Sequence, residues 1–173
     1  MNRNVLFSFL SLIALIATPA VGRTTLTDAL ETTPAVLSAA AYRDELQIFD
    51  GVNAQRNRSR LGDLEWDDRL AEVARAYSAK MAREHFFDHW DRNGNSVLER
   101  VQNAHIRGWR GLGENLFMCQ GVRGGLSEFA VAGWMKSPSH RQNILNRNWT
   151  ATGVGIAKSR DGSIYITQVF LQN

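Results

Sequence analysis

The stretch from Thr152 to Leu171 limits the fold more than any other part of the chain. Val154 and Ile156 recur at alternate positions of residues 152–159, which is the period of a β-strand. Asp161-Gly162 follows, a pair suited to a two-residue hairpin turn. In the return segment, residues 164–171, Ile164, Ile166, Gln168 and Phe170 share one face, while Tyr165, Thr167 and Val169 share the other. Both sets carry large apolar side chains, so both faces need cover. The upstream segments repeat with a helical period, and the expected fold class is α+β, with helices packed on a small antiparallel sheet.

The cover comes in order along the chain. Residues 42–60 place Leu46, Phe49, Val52 and Arg56 at helical spacing, and Gly62-Asp63 breaks the pattern. Asp67 or Asp68 opens a second helix whose apolar face is Leu70, Val73, Ala74, Tyr77 and Met81. That face stays in phase to His85 and, if the helix persists, to His89. Asn93-Gly94 is a turn signal. Ser96 and Glu99 then have the spacing of a capping box for a helix reaching Gln102 or Ala104, which makes Glu99 a cap before it is a catalytic acid. Gly108, Gly111 and Gly113 mark a loop, residues 114–118 a short strand, and residues 121–125 a second loop. Residues 127–136 read as a helix with Phe129, Ala130 and Trp134 inward. Ser137 is placed as an N-cap and Pro138 at the first position of a short helix, with His140 in its first turn and Ile144 and Leu145 as its apolar anchor.

At 173 residues the chain suits one domain. Residues 1–22 read as a secretory signal: Arg3, an apolar run over residues 5–17, then Ala20 and Gly22 in a cleavage pattern. The run is short of the roughly 20 apolar residues of a membrane span. Residues 23–41 read as a linker and 42–173 as the domain, which points to a secreted or periplasmic protein without a span after cleavage. A net charge of +3 is too small to imply a nucleic-acid partner. The run Arg56-Asn57-Arg58-Ser59-Arg60 reads as a solvated helix end. Cys119 is the sole cysteine, so no intramolecular disulfide is available, and its apolar neighbours make it a small buried hydrophobe rather than a nucleophile.

Chemistry narrows to few residues. His85 and His89 have the i, i+4 spacing of two metal ligands on one helix, but Phe86 stands where a metalloprotease carries its glutamate. A better constellation joins Phe87-Asp88-His89, Gly113-Glu114-Asn115 and Ser139-His140-Arg141. A carboxylate there can fix an imidazole tautomer, and two imidazoles across a cleft can hold a divalent cation. The alternative is that these residues tie loops to the sheet through buried hydrogen bonds. Trp90 and Trp109 either line a groove for an apolar ligand or pack at the edge of the core.

Asn53-Ala54-Gln55-Arg56, Phe86-Phe87-Asp88-His89, Gly113-Glu114-Asn115-Leu116 and the run Trp134 to Leu145 together resemble the CAP superfamily, in its bacterial SCP-domain branch. The likeness extends to Gly153-Val154-Gly155-Ile156-Ala157 and Tyr165 to Phe170, in the same order. It implies a three-layer α-β-α sandwich, secretion, and a cleft lined by His89, Glu114 and His140. Many eukaryotic members carry a second glutamate before the last histidine; Ser137 stands near that place here. The resemblance therefore implies a binding cleft for a zinc-like divalent cation or a small or lipidic ligand, with His89 and His140 as metal ligands. The competing reading is a metal-assisted hydrolase with Glu114 as its base.

Overall fold

The computed structural model describes residues 39–173. The expected signal segment and the linker through residue 38 lie outside the described residues. The elements are α1 (Ala39–Arg58), β1 (Glu65–Trp66), α2 (Asp68–Glu84), α3 (Val97–Asn103), β2 (Gly111–Cys119), α4 (Leu126–Lys136), α5 (Pro138–Ile144), β3 (Ala151–Lys158) and β4 (Ile164–Gln172). The sheet order is β1-β3-β4-β2. β4 lies antiparallel between β2 and β3. β1, too short to announce itself by periodicity, joins β3 in parallel, so the antiparallel sheet has one parallel edge.

The alternation in β4 accounts for the three layers. Ile166 and Phe170 pack with Ile48 and Val52 of α1, Ala130 and Trp134 of α4, and Ile144 of α5. Val169 and Leu171 turn the other way, onto Leu70, Val73 and Ala74 of α2 and Val101 of α3. Tyr165 joins Tyr77 and Met81 on that second face. Helices thus cover both faces, in the expected α-β-α sandwich.

Two long-range contacts fix the layers to each other. Among the described residues the outer edge of β3 has no strand partner beyond Thr152, and Glu45 of α1 covers it, its Oε1 accepting from the Ile156 N–H at 3.1 Å. Arg75 of α2 closes on the same carboxylate at 2.7 Å, so α1 and α2 clasp that edge from opposite layers. Arg56 is only 2 % exposed and donates to Gly62 O at 2.8 Å, Ile144 O at 2.8 Å and Asn146 O at 2.9 Å. It satisfies carbonyls at the C-terminal end of α5. The basic run is therefore not wholly a solvated helix end; only its later members are exposed.

Several boundaries differ from expectation for local reasons. Asp67 caps α2, accepting from the Arg69 and Leu70 amides, and the Ser96–Glu99 capping box forms as read. α1 begins at Ala39, inside the expected linker. α2 ends at Glu84 because His85 turns left-handed (φ 51, ψ 57), which removes His89 from the helix face of His85 and dissolves the i, i+4 pair. β2 starts at Gly111, within the expected loop. The hairpin turn spans residues 159–163, where the Ser159 amide bonds Ser163 O and the Ser159 hydroxyl bonds Asp161. Phe129 is 52 % exposed rather than inward and meets Phe117 edge-on at 5.6 Å. Cys119 is half-buried at the end of β2, where burial pushes its thiol pKa up.

Candidate functional site

Among the described residues β2 is the edge strand on the far side of the sheet, and successive residues on it face opposite layers. Glu114 pairs with Val169, on the α2–α3 face, and Asn115 with Gln168, on the α4–α5 face. Each collects one histidine segment. The Glu114 Oε1 meets His89 Nδ1 at 2.8 Å. Asn115 Nδ2 donates to the His140 carbonyl at 3.2 Å. Asn143, one turn beyond His140 on α5, donates to Glu114 O and Asn115 Oδ1, each at 3.0 Å. Two imidazoles from opposite layers are thereby drawn around one strand edge.

Glu114 is itself enclosed, with its side chain 3 % exposed. Its second oxygen takes Arg100 Nη2 at 2.5 Å. Arg100 lies 3.4 Å from the Tyr77 ring centroid and donates from Nη1 to Asn95 O at 2.9 Å and His89 O at 3.3 Å. Tyr77 donates to Asp88 O at 2.5 Å, and burial pushes its phenol pKa far up. The 86–90 loop is therefore fastened from beneath by Tyr77, Arg100 and Glu114. Sequence reading missed Arg100, although a signal existed. It lies one helical turn after the apolar Val97, and an arginine on that side of a helix needs a buried partner.

Phe86 packs inward against Tyr77, and the side chains that follow it are largely exposed. His89 has a side chain 46 % exposed, while Phe87 and Trp90 are 45 % and 60 % exposed. Trp109 instead donates to Ile106 O at 3.2 Å and packs beside Val101 and Ile106, so it belongs to the core. Ser137 occupies the N-cap position of α5 without forming a side-chain cap bond; its hydroxyl lies 3.4 Å from that of Ser139.

The two histidines titrate in opposite directions. The hydrogen bond to Glu114 raises the pKa of His89, against a smaller opposing effect of burial. Burial lowers that of His140, and the charge of His89 lowers it further. The site thus sets a more basic imidazole beside a less basic one, and His89 keeps its proton to higher pH than His140. An NMR titration is expected to place His89 above and His140 below the ordinary value near 6.5, with Glu114→Gln moving His89 back down. Superimposed titration curves for the two rings would contradict this arrangement.

The fit to a divalent cation is poor. Among the described residues no group of three or more His, Cys, Asp and Glu side chains could hold a metal ion. Both Glu114 oxygens are engaged, one by a guanidinium. The donors left over are His89 Nε2 and the His140 ring, fewer than a closed tetrahedral site requires.

Comparison with known proteins agrees with the fold. The sequence profile of the cysteine-rich secretory protein family (CAP) matches residues 49–170. The uncharacterized protein YkwD of Bacillus subtilis (strain 168) is 36 % identical over 140 residues, 81 % of this chain and 51 % of that protein. The chain therefore spans about half the length of that relative. An extracellular protein containing an SCP domain from Bacillus anthracis superposes with a TM-score of 0.67 at 30 % identity, over 82 % of this chain and 44 % of that one. An outer surface protein of Borrelia burgdorferi gives a TM-score of 0.67 at 22 % identity, over 76 % and 93 % of the two chains, a likeness of fold. Layer order, strand edge and sequence profile converge: the chain belongs to the CAP (cysteine-rich secretory protein) family.

Proposed function

We propose that this domain is a binding module, working outside the cytoplasm, whose cleft between His89 and His140 takes a small amphiphilic ligand. The supporting observation is Glu114, held on both oxygens and raising the pKa of His89, beside a His140 whose pKa burial lowers. Such a pair recognises an anionic or hydroxyl head group, and the exposed Phe87 and Trp90 offer apolar surface beside it. A cellular address outside the cytoplasm is supported by the extracellular description of the Bacillus anthracis relative and by the apolar run of residues 5–17. Among the described residues no helix is long and apolar enough to cross a membrane.

The hydrolase reading asks Glu114 to accept a proton from water, for which it would have to leave Arg100. Ser137 and Ser139 touch each other rather than a base, as a nucleophile would need. Calorimetry tests the choice with octanoate and with zinc chloride at pH 7.5. Octanoate is expected to bind the native protein and not the His89→Ala/His140→Ala variant, with zinc binding weak. Tight zinc binding lost in that variant would replace the amphiphile by a cation. Hydrolysis of generic peptides or esters abolished by Glu114→Gln would replace binding by catalysis.

A further inference from the structure

Between Glu128 and Asp161 the chain carries no acid, yet Lys136, Arg141, Arg147, Lys158 and Arg160 lie there. A shorter acid-free run holds Arg56, Arg58 and Arg60. The fold joins the two runs, because buried Arg56 donates to Ile144 O and Asn146 O at the end of α5. Arg58 at the end of α1, Arg60 in the turn that closes it and Arg147 next to Asn146 stand around this junction, all exposed. We propose that Arg58, Arg60 and Arg147 form a docking surface for an extended polyanion of repeating phosphate groups.

Free charge is the first argument. Arg56 commits its guanidinium to carbonyls, but none of these three has a hydrogen-bond or ion-pair partner among the described residues. Asp63, in the following loop, lies within electrostatic reach of buried Arg56 rather than bonding any of the three. Backbone conformation is the second argument. α1 closes with the Leu61 N–H on Arg56 O and the Arg60 N–H on Asn57 O, a turn whose left-handed residue is usually glycine. Arg60 holds that place at φ 58, so an arginine is kept where glycine would sit more easily. The third argument is the fit to one kind of partner. Exposed guanidiniums hold a single small anion weakly, but their contributions combine along a chain of linked charges. All three cations are arginine, whose planar fork meets phosphate oxygens in pairs. The exposed large apolar side chains, Phe87, Trp90, Met118 and Phe129 among them, all lie outside residues 56–62 and 141–150. The surface therefore offers no aromatic anchor to a membrane interface and no ring on which a base could stack.

The test is calorimetry of the whole chain with long-chain inorganic polyphosphate. Binding is expected, and it should weaken about tenfold or more between about 50 and 200 mM salt, as counterion release loses its drive. Arg58→Gln/Arg60→Gln/Arg147→Gln should weaken it by about tenfold or more at the lower salt. Arg43→Gln/Lys158→Gln/Arg160→Gln removes the same charge from exposed positions at the other ends of α1 and β3, and should weaken it less than about twofold. Arg60→Gly should raise the urea midpoint, since glycine suits the left-handed turn, while weakening binding about threefold. Binding should survive in His89→Ala/His140→Ala, which separates this surface from the cleft. Absence of binding, indifference to salt, equal losses in the two triple variants, or loss in the histidine variant would overturn the proposal. Tighter binding to phosphatidylglycerol vesicles or to oligothymidylate than to polyphosphate would overturn it as well.

Discussion

Alanine at Gly155 is expected to remove a large share of the domain's stability. β3 runs under α2 without a side chain between them at this point, and a Cβ on Gly155 would fall on the backbone nitrogen of Arg75 and the carbonyl carbon of Ala74. Gly153 meets Ala71 and Leu70 in the same way one helical turn earlier. Overpacking a core ordinarily costs about 1–3 kcal/mol, because neighbouring side chains change rotamer. Here the obstacle is helix backbone, which can yield only if α2 lifts from the sheet. Lifting it would expose Leu70, Ala74 and Met81, all completely buried. The expected loss is therefore about 3 kcal/mol or more for either substitution, against total stabilities of about 5–15 kcal/mol. Gly62→Ala is the control: a methyl group there would meet nothing within 4 Å, so the change should be close to neutral. Urea denaturation followed by circular dichroism decides. A Gly155→Ala protein within about 1 kcal/mol of the native one would mean that α2 is not seated on β3 as described.

That seating shows where the sequence was informative and where it was silent. Signals that act within one turn were legible: Asp67 as a cap, the Ser96–Glu99 box, Pro138 at the head of α5, and the two faces of β4. The phase of α2 was legible too, but not its end, because a left-handed His85 leaves the hydrophobic period unchanged while turning the chain away. Charged residues were the hardest to read. Glu45, Arg56 and Arg100 are buried by partners 30, 88 and 14 positions away, so their own neighbourhoods do not identify the partner. The candidate site mixes both kinds. Glu114 is joined to His89 directly and to the His140 segment through its neighbour Asn115. The group that governs Glu114 came from α3, outside every motif.

Arg100→Met is accordingly expected to cost about 3–5 kcal/mol, the usual penalty for stripping one partner from a buried ion pair. With Arg100 10 % and Glu114 3 % exposed, water cannot replace the guanidinium, and the carboxylate would keep only His89. The same change frees the Asn95 and His89 carbonyls and uncovers the Tyr77 ring, so the 86–90 loop should loosen as well. Adding Glu114→Gln removes the stranded charge and should recover a large part of the loss, a coupling measurable as a double-mutant cycle. The pH dependence follows from His89. Its folded pKa is raised, so its contribution is fully present below the unfolded value near 6.5 and is lost as pH rises through the folded value. Arg100 opposes that rise, and removing it should lift the His89 pKa further. At pH 5.5 the imidazolium would then partly neutralise Glu114, whereas at pH 8.5 it would do so less. The stability difference between Arg100→Met and the native protein should therefore be larger at pH 8.5 than at pH 5.5, with other titrations cancelling in the comparison. Equal losses at both values, with no rescue by Glu114→Gln, would show that Arg100 supports α3 by packing and leaves the electrostatics of His89 untouched.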